Sequence, residues 1–392
     1  MSAPTVSVLI PTFNRADWLI ESLDSVLGQT RRPDEIIVIN DGSTDDTSER
    51  LEAYGDRIRV ITQPNAGKSA ALNKAIAVAR GELIWVFDDD DIAVPDALEV
   101  LLSLLEANPE ADFAYGRHDR FEIRPDGQTR WKSTGYWRSC PSEEFLFESL
   151  LDMFVHQPAM LVRKDLYDRA GPFDETYIRS QDYDMLLRLA RYGRAAGTDR
   201  IVFHQRQHDL PRGTAAHVIR SEDRDKVWQS YDQAIFRNVF AALPLGRYLP
   251  AGYDLTRPGA MRRALIRRGI VMARKMLWNM AKDDFLRAAH IADQPLSPDE
   301  IADLRKTFML KYSCDEVVLR PNVREILFGI KHESRTGLQM SRVAGRALVW
   351  RVRRALQTGH PILAFRLARL VIGLNISLQH TFREVPSSLV RR

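Results

Sequence analysis

The sequence predicts an α/β fold, a mostly parallel sheet flanked by helices, followed by an Arg-rich α-helical carboxyl-terminal region. Three observations carry this expectation. Residues 1–116 alternate short apolar segments with helix-periodic ones, joined by brief connections. Each of the first four apolar segments ends in a polar loop. Charge is divided along the chain: from Pro250 onward there are 26 Lys+Arg against 12 Asp+Glu, a net of +14, and the totals of 56 and 52 leave 30 and 40, a net of −10, for residues 1–249. At 392 residues the chain exceeds one ordinary core, and the expected domains are residues 1–240 and 250–392.

VSVLI (6–10), EIIVIN (35–40), RIRVI (57–61), ELIWVF (82–87) and DFAYG (112–116) are the strand candidates, short and rich in β-branched or aromatic residues. Between them ADWLIESLDSVLGQ, TDDTSERLEAYG, GKSAALNKAIAVARG and PDALEVLLSLLEAN have helical periodicity. Ser43 or Thr44 is the expected cap of the second helix, Pro95 belongs to the first turn of the fourth, and Gly81 ends the third. Strands separated by helices favour a parallel sheet, whose ligands collect at the carboxyl ends of the strands. PTFNR (11–15), DGSTDD (41–46), QPNAGK (63–68) and DDDDI (88–92) should therefore open onto one rim. Residues 117–240 are of mixed order, with helices in EEFLFESLLDMF and SQDYDMLLRLARYG and strands in PAMLV and DRIVFHQRQHD. Beyond Pro250 the signals are helical and no internal repeat is present.

Composition excludes several classes. With 45% hydrophobic and 28% charged residues the chain is neither disordered nor fibrous. The two cysteines, Cys140 and Cys314, fit neither a disulfide framework nor a metal-ligand spacing, and a reducing cytoplasm is the simplest setting. VSVLI is too short for a signal peptide's apolar region, and no uncharged apolar run reaches membrane-spanning length.

Four consecutive carboxylates, Asp88–Asp91, follow the run LIWVF. Like charges at the end of a buried strand repel, so a bound cation is expected there. Asp88 and Asp90 as alternate carboxylates suit an oxygen-ligated Mg²⁺ or Mn²⁺, commonly bridging a diphosphate. A solvated turn with acidic residues before a helix N-terminus accounts for the same run without a ligand. Other motifs fail on spacing. A helix-loop-helix calcium site counted from Asp88 needs glycine where Ala93 stands, a P-loop ending in GKS needs glycine at Thr62, and no GxGxxG follows the first strand.

Taken in order, VSVLIPTFNRADWL, IIVINDGSTDDT, PNAGKSAALNKAIAVARGELIWVFDDDD and FDETYIRSQDYDMLLRLA resemble family 2 glycosyltransferases of the inverting, GT-A (Rossmann-like) type, over about residues 5–210. The resemblance implies a nucleotide held by Pro11 and Thr12, with Phe13 and Arg15 close by. It implies that Asp41 accepts a hydrogen bond from the base, usually uracil, and that Asn65, Gly67 and Lys68 pass near the diphosphate. Asp88 and Asp90 fall on the family's DxD element, Asp90 as metal ligand and Asp88 or Asp89 meeting the ribose or the metal. Such a metal neutralises the diphosphate as the sugar leaves.

Inverting transfer needs one group to take the acceptor's proton, and Asp182 in SQDYDMLLRLA matches the family's catalytic aspartate. Its place in the first turn of a predicted helix favours the ionised form; stabilisation of that helix end is the bland alternative. Many relatives carry Glu-Asp at this pair, whereas here Gln181 precedes Asp182, which keeps hydrogen bonding and loses charge. Asp184 reads as a helix-turn residue. FHQRQHDLPRG (203–213) resembles the later family segment, with His208 on the metal or a phosphate and Arg206 on phosphate oxygens. His204 and His156 are weaker candidates.

After residue 340 ten arginines face one acidic residue, Glu384. RVAGRALVWRVRRALQ places Val343, Ala347 and Trp350 on one helical stripe, with Arg342, Arg346, Arg353 and Arg354 displaced from it. ILAFRLARLVIGLNISL is more apolar, interrupted by Arg366 and Arg369. Two readings stand: an interfacial region on the inner face of an anionic membrane, or a helical appendage packed on the first domain or a second subunit. The function implied is a metal-dependent inverting glycosyltransferase, passing a sugar from a UDP-sugar-type donor to a glycan or glycolipid acceptor in the cytoplasm. A sugar nucleotidyltransferase would want a glycine-rich loop where PTFNRADW stands. A nucleic-acid-binding protein would use the arginines but leaves the four strand-end loops unexplained, so no nucleic acid is expected.

Overall fold

In the computed structural model the described residues are 4–132, 137–208, 212–214, 217–219, 224–291, 294–308 and 318–376. The chain divides into two compact units, Met1–Tyr231 and Asp232–Arg392.

The first unit is built on a nine-stranded sheet: β1 (Val6–Thr12), β2 (Glu35–Asn40), β3 (Arg59–Thr62), β4 (Leu83–Val86), β5 (Ile92–Ala93), β6 (Phe113–Ile123), β7 (Thr129–Lys132), β8 (Met160–Arg163) and β9 (Ala195–Arg206). Their order is β3-β2-β1-β4-β8-β6-β9-β5, with β7 beside β6. β1 runs parallel to β2 and β4, and β2 to β3. β8 is antiparallel to both β4 and β6, and β9 is parallel to β6. Six strands thus point one way, and β5, β7 and β8 point back. The sheet is mostly parallel, as the sequence implies. Every residue of β1 and β4 is buried, the mark of strands covered on both faces, which is why they read as unbroken apolar runs.

Helices α1 (Ala16–Leu27), α2 (Thr47–Glu52), α3 (Lys68–Val78) and α4 (Ala97–Ala107) connect the early strands; α5 (Ser142–Leu151), α6 (Lys164–Ala170) and α7 (Gln181–Tyr192) follow. Two boundary expectations change. Neither Ser43 nor Thr44 caps α2, which starts after Asp46; they tie down the loop after β1, where the Asn14 N–H donates to Ser43 Oγ (3.0 Å) and the Thr44 N–H to Asn14 Oδ1 (2.7 Å). Pro95 lies ahead of the α4 cap, Asp96. Gly81 is required by close packing: a Cβ there would sit 2.4 Å from the Ser7 backbone nitrogen. Strands β5 and β7 have no signal in the sequence reading, one being two residues long and the other, TRWK, exposed throughout.

The second unit is helical, and α-helices Pro258–Arg274, Trp278–Ile291, Pro298–Arg305, Pro321–Glu333, Arg335–Ala347, Val349–Gln357 and Pro361–Asn375 make up most of it. Its interior contains ion pairs. Arg262 clasps Glu300 through two bonds, Nε to Oε1 at 2.7 Å and Nη2 to Oε2 at 2.8 Å, both residues being buried. Glu300 also closes a capping box with Ser297. Arg267 donates to Asp303 at 2.8 Å and Arg268 to both oxygens of Asp284. The expected stripe Val343–Ala347–Trp350 is not the buried one: the helix breaks after Ala347, Met340, Ala344 and Leu348 are buried, and Trp350 is exposed. Among the described residues, no helix is long and apolar enough to cross a membrane.

Candidate active site

The carboxyl ends of β1, β2, β4 and β9 meet on one rim of the first unit. Two residues beyond β4 the chain turns, and Asp88, Asp90 and Asp91 each bring a carboxylate oxygen to within 4.8 Å of the others. Asp88 receives Lys68 Nζ at 2.5 Å, and its carbonyl accepts the Ser22 hydroxyl at 2.8 Å. Asp89 points elsewhere and takes Arg15 Nη1 at 2.8 Å; the same nitrogen reaches Asp90 Oδ2 at 2.9 Å. His208 Nε2 lies 3.0 Å from Asp90 Oδ2, and its ring packs on Trp18 with centroids 4.6 Å apart. Asp91 is buried, and its Oδ1 accepts the Arg206 backbone N–H at 2.9 Å.

The repulsion expected from four adjacent carboxylates is therefore met in part by the protein's own cations. Burial, then Asp90 and Asp88, pushes the Asp91 carboxyl well above the usual carboxylate range. Burial also raises Asp89, against the opposing charge of Arg15. Burial by itself would lower Lys68, but Asp88, Asp182 and Asp90 outweigh it and the ammonium is held above its ordinary value. Lys68 is thus bonded to the acidic turn through Asp88 and also feels the charge of Asp182, which stands in the first turn of α7. The three oxygens suit a hard divalent cation, and such an ion would favour the ionised form of Asp91 that burial disfavours.

Other expected residues take different places. Asp41 is buried with its acceptor sites filled: Oδ1 receives Gln63 Nε2 (2.7 Å) and the Ala66 N–H (2.9 Å), Oδ2 receives Asn65 Nδ2 (3.1 Å) and the Gly67 N–H (2.8 Å). It pins the loop that carries Lys68, so a base would reach it only by displacing one of these donors. Arg206 is buried under the rim, with Nε on the Asp90 carbonyl (3.0 Å), Nη2 on Glu21 (2.6 Å) and its guanidinium over Phe121 and Trp18. Nε and Nη2 thus brace the acidic turn and α1, while Nη1 has no hydrogen-bond partner among the described residues. Pro11 and Thr12 are buried at the end of β1 and Phe13 is half-buried. Asp184 is held by Arg188, whose Nε and Nη2 lie 2.9 and 2.7 Å from its Oδ2. His204 packs edge-on against Trp131.

The sequence reading passed over Gln157. It is buried in the turn Gln157–Ala159, and both ends of its side-chain amide lack a hydrogen-bond partner. The next residue's carbonyl accepts Trp85 Nε1 at 2.8 Å, fixing this turn to the strand that leads into the acidic cluster. Gln181 Oε1, next to Asp182, is likewise buried and unpartnered. Only the polar QP within an otherwise apolar HQPAMLV hinted at this.

Residues 7–171 match the family model Glycosyl transferase family 2. An uncharacterized glycosyltransferase of Rickettsia typhi is 28% identical over 230 residues, 58% of this chain and 72% of the relative. A chondroitin synthase and a hyaluronan synthase of Pasteurella multocida are each 33% identical over 210 residues, 52% of this chain, and this chain spans 21% of their length. Among solved structures, S. aureus TarS 1–349 in complex with UDP-GlcNAc aligns at a TM-score of 0.48 and 15% identity, over 91% of this chain and 92% of that one. By its strand-end motifs and by these relatives, the first unit is similar to glycosyl transferase family 2 over residues 7–171, and the relatives it matches are named as glycosyltransferases and polysaccharide synthases.

Proposed function

We propose that the chain is a metal-dependent, inverting glycosyltransferase that moves a sugar from a nucleotide diphosphate donor of the UDP-sugar type to a hydroxyl of a glycan or glycolipid in the cytoplasm. The observation that carries this is the convergence of Asp88, Asp90 and Asp91 beside a lysine that also feels Asp182. Relatives named as chondroitin and hyaluronan synthases support a polysaccharide or glycoconjugate product.

Asp88, Asp90 and Asp91 would hold Mg²⁺ or Mn²⁺, with His208 orienting Asp90. When bound, the ion supplies Lewis-acid stabilisation of the charge on the departing diphosphate. Arg15 cancels part of the acidic charge, so that a polyanionic donor can approach, and lies near the nucleotide with Pro11, Thr12 and Phe13. Asp41 and Asn65 fix the loop before Lys68, which meets the diphosphate, and Arg206 props the acidic turn from beneath. Asp182 is the base: its carboxylate takes the proton of the acceptor hydroxyl as that oxygen attacks the anomeric carbon. Gln157 and Gln181 offer donors and acceptors that match sugar hydroxyls.

The test is release of nucleoside diphosphate from a panel of nucleotide sugars, with Mg²⁺, Mn²⁺ or chelator, alongside thermal unfolding. Metal-dependent release, with stabilisation by the same donor, is expected. Release that is unaffected by chelator would remove the metal, and neither release nor stabilisation by any donor would remove the proposal.

A further inference from the structure

Helices Val349–Gln357 and Pro361–Asn375 pack against each other, and the second also packs against Arg335–Ala347; Ala355, Ala364, Leu367, Leu370 and Leu374 are buried. The other side of this helix pair is apolar as well. Leu356, Ile362 and Phe365 are 59%, 71% and 64% exposed, and Trp350, Ile372 and Ile376 are also open. Along the second helix, Ile362, Phe365, Arg369, Ile372 and Ile376 recur every three or four residues, so they share one face. Arg353, Arg354, Arg366 and Arg369 are exposed among them, and no Asp or Glu occurs between Ser334 and Ile376. An ordinary soluble face does not combine bulky apolar side chains with charge of a single sign.

We propose that this helix pair is a membrane-docking surface that lies on anionic lipid, with Trp350, Ile362 and Phe365 entering the acyl boundary and the arginines among the headgroup phosphates. Charge decides between occupants. A second copy packed through the same face would set arginines against arginines, with no carboxylate on the patch to separate them. Residues 377–392 carry Arg383, Arg391 and Arg392 against Glu384, so they too lack the charge to neutralise it. An anionic bilayer supplies both an apolar interior and a negative surface.

The experiment is flotation of the full chain with phosphatidylcholine vesicles, with and without phosphatidylglycerol, over a salt series. The chain should float with the anionic vesicles alone, and less as salt rises. Ile362→Asp with Phe365→Asp should weaken binding by about tenfold or more, and so should Arg366→Ala with Arg369→Ala. These positions are exposed, so unchanged helical circular dichroism is expected, and donor-dependent thermal stabilisation of the first unit serves as a control. Absence of flotation, equal flotation on neutral vesicles, or full binding by the apolar double variant would overturn the proposal. So would a lipid-free dimer in sedimentation that the Phe365→Asp change dissolves, because a second copy would then cover the face.

Discussion

Both units bury carboxylates, but they treat them differently. In the helical unit each buried acid described above has an arginine facing it: Glu300 has Arg262, Asp303 has Arg267, and Asp284 has Arg268. Charge is balanced at short range, and the pairs serve packing. At the sheet rim Arg15 and Lys68 pair with Asp88, Asp89 and Asp90, while Asp91 makes no ion pair among the described residues, accepts a backbone N–H and feels Lys68 only at longer range. Ionising that buried carboxyl is costly, which is why it is held well above the usual carboxylate range. Under the proposed function the carboxylate is retained because a bound cation would use its charge. A buried pair holds the fold in the helical unit, whereas under the proposed function the acid at the rim serves a ligand.

Substitutions distinguish the two kinds of buried acid. The largest effect should come from Asp182→Asn, which keeps donor-dependent thermal stabilisation and lowers the transfer rate by about 10²–10⁴-fold, the usual weight of a general base. Transfer at the parental rate would remove Asp182 from the mechanism. In the helical unit Glu300→Ala strands a buried guanidinium and should cost about 3–5 kcal/mol in denaturant unfolding. The double change Arg262→Met, Glu300→Leu should recover most of it. If the single change is neutral, the pair is not the packing element described here.

Asp91→Asn should behave in the opposite sense. The amide oxygen still accepts the Arg206 N–H, the buried charge is gone, and the metal-free melting temperature should hold or rise. A marked fall would show that Asp91 is structural like Glu300. The smallest effect concerns His118, buried with neither ring nitrogen hydrogen-bonded and stacked on Phe203. Burial, with neighbouring His156 and Arg120, pushes its pKa down to about 3. Between that value and the unfolded value of about 6.5 the unfolded chain binds the extra proton. Stability therefore falls as pH drops through this window, by at most about 1.4 kcal/mol per pH unit. His118→Phe should narrow the stability difference between pH 7 and pH 5 by about 1–2 kcal/mol; an unchanged difference would mean the imidazole is not held neutral.

Local signals made much of the first unit legible. β1, β2 and β4 are buried on both faces and announce themselves as apolar runs, and the polar loops at their ends follow from parallel topology. What stayed hidden depends on contacts across long separations. Arg15 meets Asp89 and Asp90 from 74 and 75 residues away, and Arg206 reaches Asp91 across 115. Their spacing says nothing of their pairing. The sequence context of Asp41 likewise cannot reveal that its carboxylate accepts four protein donors. Gly81 follows a helix, as its place in the sequence implies, but its close approach to Ser7 of β1 joins residues far apart in the chain. Exposure of the carboxyl-terminal helix pair was equally invisible, since an apolar stripe has the same period whether it faces a core or a bilayer.

Binding of Mn²⁺ in the presence of UDP, followed by the loss of the free-ion electron paramagnetic resonance signal, bears most directly on the rim carboxylates. The parent chain should take up one ion per chain, with binding lost or at least about tenfold weaker in both Asp90→Asn and Asp91→Asn. Undiminished uptake by these variants, or none by the parent, would mean that Arg15 and Lys68 already satisfy the cluster.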